Sequence, residues 1–481
     1  MTIYRPFFSW SLCAALVVVL AFGLWHLTTS PKMWFDEGIA SNVSKNLAVY
    51  GTYGIQTVPG VFTKDSYWAT TQHPVTLPVA LIFRLFGVSV LGMRLVMIGY
   101  LLATILVGYA LARELANERV AMWSAWLLAT FSPFYGNGKA MLGETPGVFW
   151  LLLGAWLWQK SLKAERSLLH LFGAGTAFGL CVISKPTYLL LPPALFLARL
   201  IKAIQTRRIN VVQELAFGVP IVVLSLGWLA HTVPKPLSLD HLLIVIHFFS
   251  NSYGQVVTHT QILHNALRFV TESTPLHLSL LTAIIVVVCV QKRQNLRNAS
   301  PALIALGIFS TVYLLWYLKT PGWYRYFYPA HLVALTLAPV ALWQLQASWL
   351  TEQRKRAFLI ALIIAQTIVT WQNADRFRSV ALFHLQTTLQ ERGLFDKPVF
   401  LAHVPEAALV LPSEHLSQTI YINPTLTIGE NPLLKENADL PPLVITALPG
   451  DVGVGAIEPV LQKNYHVIWS ESHYRILEKI H

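Results

Sequence analysis

Two adjacent carboxylates, Asp36 and Glu37, follow closely after the first apolar run of the chain. Ionisable groups are costly to hold beside hydrocarbon, so an acid pair at the end of a membrane helix indicates a functional site. A carboxylate can take the proton of an attacking hydroxyl, and paired carboxylates can hold a divalent cation. The alternatives are structural: Asp36 could simply cap a helix predicted at 38–50, and Glu37 could be a first-turn acid.

Further ionisable residues stand at the ends of later apolar runs. Glu144 precedes one run and is the second candidate acid, although Pro146 at the helix start makes a structural first-turn role the alternative. Lysine binds phosphate as a point charge, and arginine binds it bidentately. The candidates for binding an anion, with their polar neighbours, are His73, Lys139, Lys185, Arg325 and Tyr326.

Each candidate cation also has a structural alternative. Lys185 could extend its ammonium group to the membrane surface while its stem stays in the apolar phase. Arg325 lies among aromatic residues that could form an interfacial belt with a cation–π partner. His73 could line a polar surface without taking part in chemistry.

Composition restricts the class of protein. The chain has 481 residues, of which 54% are hydrophobic and only 12% charged, whereas soluble proteins carry about 25% charged residues. We therefore expect an integral membrane protein. The net charge of +12 does not indicate nucleic-acid binding, because the basic residues cluster in short loops between apolar runs. All three cysteines lie in apolar runs and are expected to be free thiols.

Apolar runs recur along residues 1–373 and predict about eleven membrane-spanning helices. The run at 75–87 is short and contains Pro78 and Arg84, so it predicts an interfacial helix. Loops rich in lysine and arginine alternate with loops that have few, which places the N-terminus in the cytoplasm. The predicted spans are 8–27, 90–112, 120–136, 145–159, 168–183, 187–201, 213–231, 276–290, 301–318, 327–345 and 357–373.

Three segments are predicted to lie on the outer side. The loop at 28–87 contains the amphipathic helix, which ends at Gly51. The loop at 232–275 has an apolar stretch followed by a polar segment. Residues 374–481 have strand-length apolar runs and predict a small soluble α/β domain. Its strands are predicted at 399–401, 419–422, 443–446 and 466–469, with helical patterns at 405–411 and 454–463.

The order of these motifs resembles that of the GT-C glycosyltransferases, especially the protein O-mannosyltransferases and the lipid A aminoarabinose transferase. The resemblance covers about residues 1–345. His73-Pro74-Val75 departs from the Lys-Pro-Pro that this family often has, and the C-terminal domain shows no family motif. The motifs that carry the resemblance are Asp36-Glu37, His73-Pro74, Glu144, Lys185-Pro186 and Arg325-Tyr326.

The resemblance implies a multi-pass glycosyltransferase of the bacterial inner membrane. Such an enzyme moves a sugar from a polyprenyl-phosphate donor to an acceptor hydroxyl, usually with inversion, on the extracytoplasmic face. It implies Asp36 as general base, supported by Glu37, and Glu144 as a second acid. Lys185 and Arg325 are the first candidates to bind the donor phosphate, with His73, Lys139 and Tyr326 behind them.

The expected partners follow from the same resemblance. They are the lipid-linked donor, membrane lipid, and an acceptor that is a protein, lipid A or a glycan, with no nucleic acid. A divalent cation, Mg²⁺ or Mn²⁺, at Asp36, Glu37 and Glu144 stays open. Two other functions also stay open at this point: a transporter or flippase for a lipid or lipid-linked sugar, and a non-catalytic scaffold whose outer domain binds a partner.

Overall fold

The apolar runs of the first 373 residues form helices, because a segment that leaves water must satisfy its backbone hydrogen bonds internally. The computed structural model describes all residues except 1–9, 64–70, 164–166, 234–237, 251–255, 294–298, 348, 424–425, 436–438, 452, 472 and 481. The first two residues of the span predicted at 8–27 lie outside this described part, as do several loop residues.

The helices of the described part follow one another along the whole chain. They are α1 (Trp10–Leu24), α2 (Phe35–Tyr50), α3 (His73–Phe86), α4 (Val90–Leu115), α5 (Glu118–Ala129), α6 (Ser132–Gly136), α7 (Glu144–Ser161), α8 (Ser167–Ser184), α9 (Leu191–Thr206), α10 (Val211–Thr232), α11 (Leu239–Ser250), α12 (His259–Thr271), α13 (Ser273–Gln291), α14 (Pro301–Tyr317), α15 (Tyr328–Gln344), α16 (Glu352–Asn373), α17 (Ala381–Glu391) and α18 (Glu458–Asn464).

The strands are fewer and lie in two places. They are β1 (Ile55–Val58), β2 (Val61–Thr63), β3 (Val399–Ala402), β4 (Leu416–Asn423), β5 (Leu426–Ile428), β6 (Leu443–Ala447), β7 (Tyr465–Glu471) and β8 (Tyr474–Lys479). The first two form an antiparallel hairpin, and the other six form one mixed sheet in the order β5-β4-β3-β6-β8-β7. β3 is parallel to both of its neighbours, while the remaining pairs are antiparallel.

The described part of each predicted span coincides with helical structure, with two corrections. The span predicted at 187–201 begins as a 3-10 helix, Pro186–Leu190, before α9. The run predicted as a single helix at 120–136 is two helices, α5 and α6, because Pro133 starts a new helix after the break at Phe131. Of the described helices, 5 are long and apolar enough to cross a membrane by length and composition. The fold is therefore mostly helical with membrane-type helices, and the number of spans stays a prediction.

Helix α2 begins three residues earlier than the predicted 38–50. Its N-cap residue is Trp34, which makes no side-chain cap bond, so Asp36 lies inside the first turn and is not the cap. Gly51 ends the helix in a left-handed conformation (φ 66°), as predicted, and its backbone amide bonds Asn46 and Leu47. The run predicted at 75–87 is the helix α3, with Pro78 inside it.

Several elements were missed by the sequence analysis. The polar segment after residue 250 contains α12, whose N-cap Thr258 accepts a bond from the Gln261 amide. β8 was missed because Arg475 makes it look exposed. In the fold this arginine is buried by two bonds to Glu458 and one to the Ala447 carbonyl. The hairpin β1–β2, strand β5 and helix α17 were also missed.

The C-terminal unit shares its hydrophobic core with the first half of the chain. Buried residues of β3 and β6, such as Leu401 and Ile445, belong to the same cluster as Ala40, Val75 and Met141. Polar contacts reinforce this packing: the buried ammonium of Lys45 in α2 donates to the Ala408 and Leu411 carbonyls at 2.7 and 2.6 Å. Helix α2 is thus held between the helical bundle and the sheet.

Candidate active site

Asp36 and Arg325, 289 residues apart, form an ion pair in which Arg325 Nη1 donates to Asp36 Oδ2 at 2.6 Å. The first turn of α2 positions Asp36, and a short 3-10 helix, Tyr324–Tyr326, positions Arg325 just before α15. No hydrogen bond among the described residues reaches the other oxygen, Asp36 Oδ1. The carboxylate therefore has one oxygen held by a cation and one oxygen available to a substrate.

Aromatic rings surround the Arg325 guanidinium. Its central carbon lies 4.8 Å from the Trp323 ring centroid, 5.3 Å from that of Tyr326 and 5.9 Å from that of Trp34. Arg325 Nη2 also approaches the Tyr326 hydroxyl at 3.5 Å. Such stacking orients a planar cation without neutralising its charge. Tyr326 therefore contacts the guanidinium group. The sequence left open that these aromatic residues only form an interfacial belt, and in the structure they orient Arg325.

Glu144 and Lys185 form the second ion pair, which is short and largely buried. Two glycines bring their segments together. A Cβ on Gly143 would lie 1.9 Å from the Ser184 carbonyl, and one on Gly147 would lie 2.1 Å from the Tyr188 ring. The Tyr188 hydroxyl donates to the Glu144 carbonyl at 2.5 Å. The start of α7 can thus abut the end of α8 only because these side chains are absent.

The two ion pairs form one electrostatic site. The charges of Asp36, Glu144 and Arg325 all act on the Lys185 ammonium. Glu144 Oε2 is buried and has no hydrogen-bond partner in the described part of the chain. The arrangement offers two cations and two carboxylates within one partly accessible cluster. It can bind a phosphate and accept a proton in the same place.

Glu37 is in a different environment from its neighbour. Its side chain and that of Arg94 are both 0% exposed, and Arg94 donates to both carboxylate oxygens at 3.3 and 3.1 Å. The backbone amides of Met141 and Trp34 donate to the same two oxygens, and Arg94 also reaches the Leu27 carbonyl. Glu37 therefore ties four segments together, and both of its oxygens have partners within the protein.

His73 does not join the ion pairs. Its Nε2 lies 3.2 Å from His231 Nδ1 on α10, and its ring stacks on Tyr53 with centroids 4.9 Å apart. Burial, with a smaller contribution from the neighbouring His231, lowers the pKa of His73 to about 4. A neutral imidazole at this position would be a weak phosphate ligand, so the structure gives His73 a packing and polar-lining environment.

Lys139 is also separate from the two pairs. Its ammonium group donates to the Trp25 carbonyl at 3.0 Å and lines a cavity beside α1 and α16. Burial lowers its pKa to about 8, and the positive charge of Arg94 adds to that effect. Lys139 thus remains cationic near neutral pH but faces another part of the molecule.

The candidate acids do not come together as a metal site. Asp36, Glu37 and Glu144 each face a different cation, namely Arg325, Arg94 and Lys185. In the described residues there is no group of three or more histidine, cysteine, aspartate or glutamate side chains that could hold a metal ion. The donor set present does not fit a divalent cation at these acids.

Helix α12, which the sequence analysis missed, holds the segment that leads to Arg325. The fully buried Asn265 donates to the carbonyls of Leu318 and Thr320 at 3.1 and 2.9 Å. Arg268 donates to the Tyr317 hydroxyl at 3.0 Å and to the Gly322 carbonyl. Both carboxylate oxygens of Glu272 accept hydrogen bonds from Arg268. Nothing in the sequence around Asn265 indicated that it holds the segment before Arg325.

Comparison with known proteins bears on the fold that holds these residues. The model of the family described as dolichyl-phosphate-mannose-protein mannosyltransferase matches residues 74–229. No curated protein sequence matches the chain. Among solved structures, apo ArnT from Cupriavidus metallidurans has a TM-score of 0.65 at 13% identity, over 97% of this chain and 98% of that one. The structure of the same protein bound to undecaprenyl phosphate has a TM-score of 0.61, with the same identity and coverage.

A second similar structure is that of the oligosaccharyltransferase from Archaeoglobus fulgidus in the apo form. Its TM-score is 0.58 at 13% identity, and the match covers 95% of this chain and 68% of that one. These findings confirm the resemblance inferred from the motifs. The chain has the fold of these glycosyltransferases, and residues 74–229 match the mannosyltransferase family model.

Proposed function

We propose that this chain transfers a sugar from a polyprenyl-phosphate donor to an acceptor hydroxyl, with inversion, on the extracytoplasmic face of the membrane. The observation that carries the proposal is the Asp36–Arg325 ion pair, which joins a carboxylate base to a phosphate-binding cation where the membrane helices end. The fold supports it, because ArnT, which shares that fold, has been solved with undecaprenyl phosphate bound.

The chemistry assigns one role to each end of this pair. The acceptor hydroxyl attacks the anomeric carbon, the new C–O bond forms, and the bond between that carbon and the phosphate oxygen breaks. Asp36 Oδ1 takes the hydroxyl proton, since a hydroxyl is a poor nucleophile until a base lies within hydrogen-bond reach. The electron pair leaves with the polyprenyl phosphate, and the fixed charges of Arg325 and Lys185 stabilise the departing anion.

Glu144 and Glu37 have supporting roles in this proposal. Glu144 holds Lys185, and its unpartnered oxygen can contact the sugar or the acceptor. Glu37 fixes the first turn of α2 through Arg94 and so orients Asp36. Because Asp36 is positioned in advance, it needs no rearrangement as charge develops in the transition state. The buried pair of Glu37 and Arg94 can thus assist catalysis without touching the substrate.

The location and acceptor follow as parts of the same proposal. We place the N-terminus in the cytoplasm of a bacterial inner membrane, with the ion pairs and residues 374–481 in the periplasm. The sheet lies directly against α2, so it is the natural surface for recognising the acceptor. A protein hydroxyl, lipid A and a surface glycan all supply the required nucleophile.

The experiment that tests the function is a donor panel. Purified full-length protein is incubated with several polyprenyl-phosphate sugars and candidate acceptors, and released polyprenyl phosphate is measured. Release with at least one donor, dependent on an acceptor, is the expected result. A transporter would leave the bond between sugar and phosphate intact. Transbilayer movement of an unhydrolysed donor, with no release from any member of the panel, would therefore overturn the proposal.

A further inference from the structure

A cavity of about 470 Å³ lies between the ends of α1, α13 and α16 and the short helix α6. This volume is in the range of pockets that hold small molecules. Neither the acids nor the cations of the two catalytic ion pairs line it. Part of its wall is apolar, from Phe22, Leu362 and Val369, and part is basic, from Lys139 and Arg376. No aspartate or glutamate belongs to the lining in the described chain.

Lys139 provides the first sign of a ligand. The residue is only 3% exposed, and the described residues supply one carbonyl, that of Trp25, and no carboxylate within ion-pair distance. Asp375 could have served, but it pairs with His26 and accepts a bond from the Trp25 indole. The charge of Asp375 acts on Lys139 from beyond ion-pair distance, so burial of this ammonium group is only partly compensated. An anion in the adjoining cavity would offset the remaining cost.

Arg376 supplies a second positive charge at the same cavity. Its contacts within the chain are weak: a bond of 3.5 Å to the Asn373 side chain and a position over the Phe377 ring, 5.6 Å from its centroid. A guanidinium group held this loosely can still turn its donors towards a phosphate. The lining of the cavity thus includes two cations and several apolar side chains.

The apolar side continues onto the surface of α16. Val369 lines the cavity and is 45% exposed, and the neighbouring Ile364 and Ile368 are more exposed still. The sequence predicts a membrane span at 357–373, and exposed apolar residues on such a helix would be covered by acyl chains. An occupant with a charged head and a hydrocarbon tail would match both walls at once.

We propose that this cavity binds an anionic bilayer phospholipid, with its phosphate between Lys139 and Arg376 and an acyl chain along Leu362 and Val369. The site is separate from the donor site proposed above, and it does not depend on that function. The lipid bridges α13 and α16, and α16 is the helix that leads into the C-terminal unit. Its binding should therefore stabilise the folded chain, as any ligand of the native state does.

The test measures the thermal unfolding midpoint of the full-length protein in a neutral detergent, with added phosphatidylglycerol or phosphatidylcholine. Phosphatidylglycerol should raise the midpoint of the wild type, and phosphatidylcholine should not. Lys139→Met should weaken the apparent affinity for phosphatidylglycerol about tenfold, as expected for losing one charge-assisted contact. The exposed Lys319 supplies the matched control: Lys319→Met should respond like the wild type. Equal effects of both lipids, or an unchanged response in Lys139→Met, would overturn the proposal.

Three further measurements keep the result specific to this cavity. Gly136 lines it, and a Cβ there would meet no atom within 4 Å, so Gly136→Leu can fill space without a clash. This variant should lose the phosphatidylglycerol effect while keeping the midpoint of the lipid-free protein. Lys185→Met should retain the effect; if it loses it, the lipid occupies the donor site instead. An equal rise with inorganic phosphate alone would exclude a lipid site.

Discussion

Asp36 and Glu37 are adjacent in sequence, yet they occupy opposite kinds of environment. Glu37 lies in a sealed site, where Arg94 and two backbone amides bond both of its oxygens. Asp36 lies in a half-open site, where Arg325 bonds one oxygen and aromatic rings flank the cation. Successive residues of a helix point about 100° apart, so neighbours can face different partners. The comparison teaches that one acid of the pair is sealed among internal partners, whereas the other keeps one oxygen without a hydrogen bond from the described residues.

The largest effect expected from this difference concerns Asp36. Asp36→Asn should lower the rate of sugar transfer roughly 10²- to 10⁴-fold, the contribution of a positioned general base. The unfolding midpoint should stay close to the wild-type value, because the rings of Trp323, Tyr326 and Trp34 still stabilise the Arg325 cation. Release of polyprenyl phosphate and thermal unfolding measure the two quantities. Full activity in this variant would exclude Asp36 as the base.

Glu37→Gln should show the opposite pattern. Removing one partner of a fully buried ion pair leaves Arg94 uncompensated, and the free energy of unfolding should fall by about 3 to 5 kcal/mol. The double variant Glu37→Gln, Arg94→Met should recover part of this loss, because the unpaired charge is then gone. Thermal unfolding of all three proteins in detergent provides the measurement. A stable Glu37→Gln protein with no activity would mean that Glu37 itself takes part in the reaction.

The next residue of α2, Gly38, faces the C-terminal unit. A Cβ at this position would lie 2.3 Å from the Glu406 amide, so the two segments are in direct contact. The Glu406 side chain is buried there and accepts a bond from the Tyr474 hydroxyl at 3.1 Å. Burial raises the pKa of Glu406 from 4.5 to about 7. The segment that packs against this face of α2 thus carries a third acid in a third kind of environment.

The raised pKa of Glu406 predicts a dependence of stability on pH. Below about pH 4.5 the carboxyl is protonated in both states, whereas between 4.5 and 7 only the unfolded state ionises. Stability should therefore fall as pH rises through this window and level off above 7, by about 3 kcal/mol at most. Glu406→Gln should remove this dependence. The exposed Glu430 provides a control, and Glu430→Gln should keep the wild-type pH profile.

The smallest effect concerns the other end of the catalytic pair. We expect the segment that carries Arg325 to need firm positioning, as α2 does. Asn265→Ala should therefore raise the donor KM roughly three- to tenfold, with kcat changed less. This change in KM corresponds to about 1 kcal/mol. Arg325 itself is unchanged in this variant, so the shift would report its position. An equal loss of kcat and stability, with KM unchanged, would show that Asn265 is only a structural residue.

Much of the helical framework could be predicted from the sequence, because each apolar run must form its own hydrogen bonds in the membrane. Asp36, Glu144, Lys185 and Arg325 could also be selected, since ionisable residues are rare in such a chain. The separation of Lys139 and His73 from these four could not be predicted. Both stand at helix ends like the others, and only packing decides which cavity a helix end faces.

The sequence did not show which charged side chains pair with one another. Arg94 lies 57 residues from Glu37, and its place in an apolar helix gave no sign that it would be fully buried against that acid. Strand β8 and helix α12 were missed for a related reason, because their polar residues are buried by partners outside their own element. Arg475 of β8 is held by Glu458 of α18, and Asn265 of α12 bonds carbonyls that follow α14.

The sequence by itself determined the membrane class, the helical runs and the residue types available for chemistry, because these depend on local hydrophobicity and on the cost of charge near lipid. Only the tertiary structure decided which carboxylate is sealed and which is open. That outcome depends on contacts between segments that are distant in sequence, 57 residues for Glu37 and Arg94 and 289 for Asp36 and Arg325. A one-residue step around α2 is enough to exchange one environment for the other.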